Sequence, residues 1–187
     1  GVSSQHWTIY HKDLPTGDYL KFTTDQKIDY PMFNDSTPNS STIPLGNDDQ
    51  VSGSSGTYIL YAWHDVPGLQ KFGSYGGNGS VNGPFVELPF APAFVMFKRS
   101  DSTGDWIIFD NKRNTHEGNY REKVLYPNKN NAEEDSADGD TMLFLTNGFK
   151  LNNVTYPYWN ASGGTYIYAT WAESPISDLY GGRSNAR

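Results

Sequence analysis

The sequence predicts an all-β fold, an antiparallel β-sandwich of the jelly-roll kind built from two related halves. Aromatic residues make up 15% of the chain, with thirteen Tyr and five Trp, and such side chains suit pleated, half-buried surfaces. Short alternating stretches bounded by Gly, Pro, Asn and Ser recur along the chain, as in sandwiches. A fourteen-residue sequence also occurs twice, at 54–67 and 162–175, with seven identical positions.

The duplicated sequence is an internal repeat, and a second match supports it. Trp7-Thr-Ile-Tyr pairs with Trp106-Ile-Ile-Phe at an offset of 99, against 108 for the fourteen-residue match. The second copy therefore carries nine more residues (108 minus 99), which we assign to the acidic, Asn-rich tract 128–140, since insertions in repeats map to loops. The expected bounds are a single domain over 1–187, copy one at about 3–67, copy two at about 84–175, and a flexible carboxyl tail at 176–187.

Copy one predicts four strands. Residues 3–11 alternate around Trp7, residues 19–23 are short, and residues 42–45 form an edge strand interrupted by Pro44. Residues 57–65 are apolar on both faces, which is typical of a central strand. The partner expected before the first strand would precede residue 1. We therefore expect that the chain begins inside a repeat. It is then either a fragment of a longer protein or takes that partner strand from elsewhere.

Copy two is better marked by turns. The Gly-rich residues 67–92 are interpreted as a linker, with Phe72 and Tyr75 stapling it to the sheet. Two hairpins and a second central strand follow. The predicted segments are strand 93–100, turn 101–105 and the Trp106 strand; a short strand at 124–126; strands 141–145 and 149–151 around Asn147-Gly148; loop 152–160; and the repeated sequence at 162–175.

Composition excludes several classes of function. The net charge is -7 and the basic residues are scattered, which disfavours nucleic-acid binding. No apolar run approaches the roughly 20 residues of a membrane span, so membrane insertion is not expected. The absence of Cys removes disulfides and thiolate metal sites. We expect no cofactor.

The motifs as a set resemble a known domain. They are Lys71-Phe-Gly-Ser-Tyr-Gly-Gly-Asn-Gly-Ser80, Gly83-Pro-Phe-Val86, Phe94-Val-Met-Phe-Lys-Arg99, Asp101-Ser-Thr-Gly-Asp-Trp106, Asn147-Gly-Phe-Lys-Leu151 and Asn160-Ala-Ser-Gly-Gly-Thr-Tyr-Ile-Tyr168. Together they resemble a recurring domain of tailed-bacteriophage tail-fibre and virion-surface structural proteins. The resemblance covers roughly residues 54–175. It implies a concanavalin-like sandwich, a place on the virion surface, and adhesion or receptor contact rather than chemistry.

Trp159 is the candidate for ligand binding. Trp7, Trp63, Trp106 and Trp171 occur as repeat-matched pairs, which is typical of core anchors, whereas Trp159 has no counterpart. Exposed aromatic rings stack on the apolar faces of sugars, and amides take the hydroxyls. The predicted glycan contacts are Trp159, Tyr156, Tyr158, Asn160 and Tyr75. The alternatives are a loop folded over a sheet edge and an oligomer contact.

Metal binding and catalysis have weaker support. The acidic tract 133–140 is dense in carboxylates but lacks the spacing of a calcium loop, so we expect a solvated loop and leave calcium open. His64 and Asp65 are replaced by Ala172 and Glu173 in the second copy. No strand carries the paired carboxylates of a sandwich-fold glycosidase. We therefore expect no enzyme, since a depolymerase would need residues distant in sequence.

Two hypotheses follow for the function. The first is a virion-surface domain of a phage fibre or spike that binds a host-surface glycan or receptor, with repetition around the fibre supplying avidity. The second is a decoration or spacer domain that contacts other virion proteins and has no ligand of its own. A homo-oligomer, most simply a trimer, is expected by analogy with fibres.

Overall fold

The computed structural model describes residues 6–113, 120–135, 141–152 and 157–174, and within them the chain is almost entirely β. The first strands are β1 (Thr8–Ile9), β2 (Asp18–Lys21), β3 (Ile28–Asp29), β4 (Gln70–Gly76), β5 (Phe85–Glu87), β6 (Pro92–Arg99) and β7 (Trp106–Asp110). They are followed by β8 (Tyr120–Arg121), β9 (Lys123–Val124), β10 (Glu134–Asp135), β11 (Thr141–Leu145), β12 (Gly148–Asn152), the one-turn helix α1 (Pro157–Asn160) and β13 (Thr165–Ala172).

Two four-stranded sheets form a β-sandwich, as predicted. Sheet I has the order β4-β13-β6-β7, and sheet II has the order β5-β12-β11-β8. Every strand pair in both sheets is antiparallel. A small sheet, β1-β2-β3, is called the N-terminal sheet, and β9 pairs with β10. The predicted β-sandwich is therefore confirmed, and its jelly-roll connectivity stays a prediction.

The main core lies between sheets I and II. Aromatic rings of the two sheets meet directly: Phe149 of sheet II lies 6.2 Å from Tyr75 and 5.5 Å from Tyr168, both edge-on. Edge-to-face pairs of this kind add to the free energy gained by removing the rings from water. Other buried members are Val86, Leu88, Phe90, Val95, Phe97, Ile107, Phe109, Val124, Met142, Phe144, Leu151, Trp159 and Tyr166.

The N-terminal sheet covers the second face of sheet I. Leu20 of β2 packs with Trp106 of β7 and Ile167 of β13, and the indole Nε1 of Trp106 donates a hydrogen bond to the Lys21 carbonyl at 2.8 Å. Sheet I is therefore buried on both faces. This is the environment that the sequence predicts for the repeated sequence at 162–175, and β13 indeed lies between β4 and β6.

The hairpins with strong turn signals form as predicted. β6 pairs with β7 across residues 100–105. β11 pairs with β12, with Leu145 opposite Gly148. Gly148 has φ +150°, and a Cβ there would overlap the Val86 carbonyl oxygen. Glycine is therefore required at this turn by conformation and by the close approach of β5.

Several predictions in the first copy are wrong. Residues 57–65 form no strand and are exposed, and residues 42–45 form none either. Trp7 and Trp63, expected in the core, are also exposed. The predicted linker 67–92 contains β4, an edge strand of sheet I, and β5. The physical reason is pairing: β13 has a strand on each side, whereas no strand of the described ranges pairs with residues 57–65.

Some calls lie outside the described residues. These are the tail 176–187, Tyr156, and residues 136–140 of the acidic tract. Among the described residues no helix is long and apolar enough to cross a membrane.

Candidate binding surface

Trp159, the centre of the site predicted from sequence, is a core residue. It lies in α1 with 4% of its surface exposed. Its ring meets Phe109 at 5.2 Å and Phe97 at 6.2 Å, edge-on in both contacts. The expectation of an exposed ring at Trp159 is therefore wrong. The alternative of a loop folded over a sheet edge comes nearer, although the segment is a helical turn packed on β6 and β7.

Asn160 supports a turn. Its Nδ2 donates to Asn78 Oδ1 and to the Ser80 carbonyl, both at 2.9 Å, and its Oδ1 accepts from the Asn78 amide at 2.8 Å. The side chain is buried, and these three bonds satisfy both ends of the amide. Both Nδ2 hydrogens of Asn160 are used within the chain and its buried Oδ1 already accepts from the Asn78 amide, so the side chain holds the turn at 78–80 and is not presented to a ligand.

Tyr75 is buried as well. Its ring stacks on Tyr166 at 4.8 Å, with 6° between the planes, and its hydroxyl donates to the Trp159 carbonyl at 3.1 Å. Burial raises the pKa of Tyr75 well above its usual value. Tyr158 is exposed on the other side of α1. The structure thus brings Tyr75, Trp159 and Asn160 together in the packed interior, where they do not form an open binding surface.

A row of three exposed rings lies elsewhere, on the first copy, and it ends against the half-buried Trp171 of the second copy. Trp7 lies 5.9 Å from Tyr61, Tyr61 stacks on Trp63 at 6.0 Å with 19° between the planes, and Trp63 meets Trp171 at 6.4 Å. We call these four residues the aromatic strip. The side chain of Trp63 is 58% exposed, and the contacts hold neighbouring rings at nearly even spacing. The strip therefore presents apolar rings to solvent in a fixed order.

The strip is anchored to sheet I by Trp171. Its ring lies between Phe72 and Phe94, at 5.6 and 5.3 Å. Its indole Nε1 donates to Gln70 Oε1 at 2.9 Å, and Gln70 Nε2 donates to the His64 carbonyl at 2.7 Å. Gln70 thus ties the segment that carries Trp63 to the strand pair that carries Trp171.

Polar groups border the strip at one end. Lys12 Nζ pairs with Asp65 Oδ2 at 2.6 Å, and the Phe72 amide donates to Asp65 Oδ1 at 2.9 Å. Partial burial opposes ionisation of Asp65, but the hydrogen bonds from Lys12 and from the Phe72 amide hold its pKa below the usual value. His64 is exposed beside it. The strip therefore ends at a charged carboxylate, an ammonium and an imidazole, which offer both donors and acceptors.

A buried histidine lies behind this border. His11 Nε2 is 3.2 Å from the Tyr168 carbonyl, and its Nδ1 accepts from the Asp13 amide at 3.2 Å. These partners require a proton on Nε2 and a lone pair on Nδ1, which is the neutral imidazole. Burial lowers the pKa of His11 and raises that of Tyr168 to about 12. His11 therefore fastens the loop after β1 to the central strand of sheet I.

Two described residues of the acidic tract, Glu133 and Asp135, pair with cations of the chain itself. Glu133 bonds Arg113 at 3.1 Å, and Asp135 bonds Lys123 at 2.5 Å. No group of three or more metal-ligating side chains occurs within the ranges that the structure describes. A cleft of about 260 Å³ is lined by Lys71, Glu87, Leu88 and Pro89. That lining holds one carboxylate, whereas most glycoside hydrolysis uses two.

Sequence reasoning missed the strip because it assigned its members to the core. Trp7 and Trp63 have repeat counterparts, and Trp106 of the second copy is buried as expected. The sequence holds no signal that separates an exposed segment from a buried one here. No charged residue occurs between Val51 and Trp63, and such an uncharged, apolar run is also typical of a buried central strand.

The fold and this surface define a β-sandwich domain with an additional N-terminal sheet and an exposed aromatic strip. The chain belongs to the family described as a domain of unknown function, DUF7483, whose profile matches residues 2–175. No curated protein and no solved structure matches the chain.

Proposed function

We propose that the chain is a non-enzymatic domain of a phage virion surface, in a tail fibre or spike, and that it binds a host-surface glycan through the aromatic strip. The observation that carries the proposal is the row Trp7, Tyr61 and Trp63, exposed and spaced at about 6 Å. Exposed rings offer apolar faces for the C–H faces of sugars. The place on a virion rests on the motif resemblance alone.

The border of the strip supports a polar, hydroxyl-bearing ligand. The side chains of Lys12 and Asp65 are both partly exposed, so the hydrogen-bonding capacity that their ion pair leaves unused faces solvent next to Trp63. Binding sites of this type combine apolar walls with a few polar groups that set orientation. The net charge of -7 favours neutral or cationic surface polysaccharides over strongly anionic ones.

The alternative is a decoration or spacer domain with no ligand of its own, and one observation favours it. Ile59 and Leu60, both aliphatic, are exposed next to the strip, Ile59 at 69%. Aliphatic side chains suit contact with protein better than contact with sugars, and exposed apolar patches of this kind mark interaction sites.

Binding of the purified chain to a glycan array and to host cells tests the proposal. Trp63→Ala removes the ring that contacts both Tyr61 and Trp171, and Tyr158→Ala is the matched control, since Tyr158 is also an exposed aromatic ring. We expect saturable binding that is lost in the first variant and kept in the second, with both still folded by thermal melt. Equal binding by both variants would remove the strip as the site, and no binding by the well-folded parent chain would favour the spacer.

A further inference from the structure

Residues 57–63 are an exposed segment that belongs to none of the sheets formed by the described residues. None of their N–H or C=O groups makes a hydrogen bond within the described part of the chain, although Val66 and Gln70 form a bridge immediately after it. Tyr61 and Trp63, two residues apart, stack on each other at 6.0 Å, which fits the period of an extended chain. Unpaired extended backbone of this type is a template for pairing with another strand.

The repeat shows that this side-chain pattern is compatible with strand pairing on both edges. The equivalent sequence in the second copy forms β13, which pairs with β4 along one edge and β6 along the other. The identical Gly-Thr-Tyr-Ile run starts both segments. What differs is the presence of neighbours, since none of the described residues pairs with residues 57–63 along either edge.

Charge makes a second copy of the same chain a suitable partner at this place. Two chains of net charge -7 repel each other over most of their surface. Residues 51–63 carry no charge at all, so two copies can approach here without opposing like charges. The exposed side chains in the segment are also apolar, which provides the driving force.

The sequence of the segment is complementary to itself in one antiparallel register. When a two-fold axis runs perpendicular to two antiparallel strands, odd-numbered residues must face odd-numbered residues and even-numbered residues must face even-numbered ones. Placing Tyr61 on the axis meets this condition. Ile59 then faces Trp63 of the second copy, and Leu60 faces Ala62. Asp65, whose carboxylate is held by Lys12 and by the Phe72 amide, lies level with the uncharged Thr57, so no like charges oppose. Apolar cross-strand pairs of this kind are stabilising.

We propose that two copies of this chain pair antiparallel through residues 59–63, with Tyr61 on the two-fold axis and the backbones of the two segments hydrogen-bonded to each other. The contact is isologous, so it closes as a dimer. It brings two aromatic strips together around the axis. The proposal does not depend on glycan binding, because it concerns the backbone edge and the pairing of apolar side chains.

The mass of the purified chain in solution, without glycan, is the first test. The mass of one chain is 20.9 kDa, and we expect twice this value by light scattering, with dissociation on dilution. Leu60→Asp places a charge beside the axis on each strand and should raise the dimer dissociation constant about tenfold or more. Val81→Asp is the control, since Val81 is an exposed apolar residue away from the segment, and should leave the mass unchanged.

Single cysteines test the register, because the chain has none of its own. Tyr61→Cys places two thiols directly opposite, where Cβ atoms lie about 4.5–5.5 Å apart, and mild oxidation should cross-link it. Leu60→Cys places its thiols diagonally, about 7–8 Å apart, and should cross-link much more slowly. A monomer at all concentrations or a trimer of the kind expected for fibres would overturn the proposal, and so would equal cross-linking of the two cysteine variants.

Discussion

The indole ring of Trp63 lies edge-on against that of Trp171, with centroids 6.4 Å apart and 86° between the planes. The two residues hold equivalent positions in the internal repeat, yet Trp63 is mostly exposed and Trp171 is half-buried. The second copy therefore supplies the support on which the tryptophan of the first copy rests. Equivalent positions in the two copies are in contact here, and they do not share an environment.

Trp159→Ala should lower the free energy of unfolding by about 3–5 kcal/mol, as expected for a large aromatic removed from a packed core. The ring is enclosed by Phe97 and Phe109. Urea denaturation measures the change. Tyr158→Ala, on the exposed side of the same helical turn, is the control and should change it by less than about 1 kcal/mol. Similar values for the two variants would contradict the burial of Trp159.

Gly148→Ala should destabilise the β11–β12 hairpin and lower the free energy of unfolding by about 2–4 kcal/mol. The added methyl group would overlap the Val86 carbonyl oxygen, and the backbone has a positive φ. Gly76→Ala is the matched control, because a Cβ there meets nothing within 4 Å. Thermal melts of both variants measure the effect, and a melt of Gly148→Ala equal to that of the control would refute it.

Stability should rise at alkaline pH because of Lys98. This side chain is fully buried in sheet I, and its Nζ donates to the Arg99 carbonyl at 2.7 Å. Burial lowers the pKa of Lys98 to about 8, although Asp105 and Asp25 oppose the shift. The unfolded chain, with a pKa near 10.4, then binds more protons, so the free energy of unfolding increases between pH 8 and 10.4, by about 3 kcal/mol.

Lys98→Met provides the comparison for this prediction. Urea denaturation at several pH values gives the difference between the parent chain and the variant, which removes the contribution of other groups that titrate in the same range. We expect that difference to change steadily between about pH 8 and pH 10.4 and to be constant below it. A difference independent of pH would show that Lys98 is ionised normally in the folded state.

His11 should make the chain less stable in weak acid. Burial is the largest influence and lowers the pKa of His11, and Lys12 acts in the same direction. The Tyr168 carbonyl, Asp13 and Asp65 favour the cation and offset part of this effect. The neutral form is thus preferred in the folded state. The contribution to stability is complete above the unfolded pKa of about 6.5 and is lost progressively as the pH falls below that value.

His11→Gln should weaken this dependence when the free energy of unfolding is compared between pH 7.5 and pH 5. His64→Gln is the control, since His64 is exposed. An equal loss of stability in acid for the parent chain and the His11 variant would assign the effect to other groups.

Local signals predicted those parts of the fold that depend on local structure. The hairpins β6–β7 and β11–β12 carry clear turn sequences, and the apolar run of β13 marks a central strand. Residues 57–65 carry the same apolar run, but a strand exists only where another strand pairs with it. Pairing is a property of the assembled sheet, which is why a repeat in sequence does not guarantee a repeat in structure.

The candidate site was harder to predict for a related reason. Trp159 lacks a repeat counterpart and follows a proline, which suggested an exposed loop, but a single helical turn directs it into the core and leaves Tyr158 outside. Exposure of Trp7 and Trp63 depends on the absence of covering strands. No composition or spacing in their neighbourhood records that absence.

The order of sheet I has a consequence for how the chain is made. β4 and β6 are both synthesised before β13, yet β13 lies between them. β6 can pair with β7 early, but neither β4 nor the second edge of β6 finds its final neighbour until residues 165–172 have left the ribosome, so the centre of the sheet is completed by the last described strand. Long-range pairing of this kind slows folding, and nascent chains hold two open strand edges at once. Crowded polysomes would favour pairing between neighbouring chains at this stage.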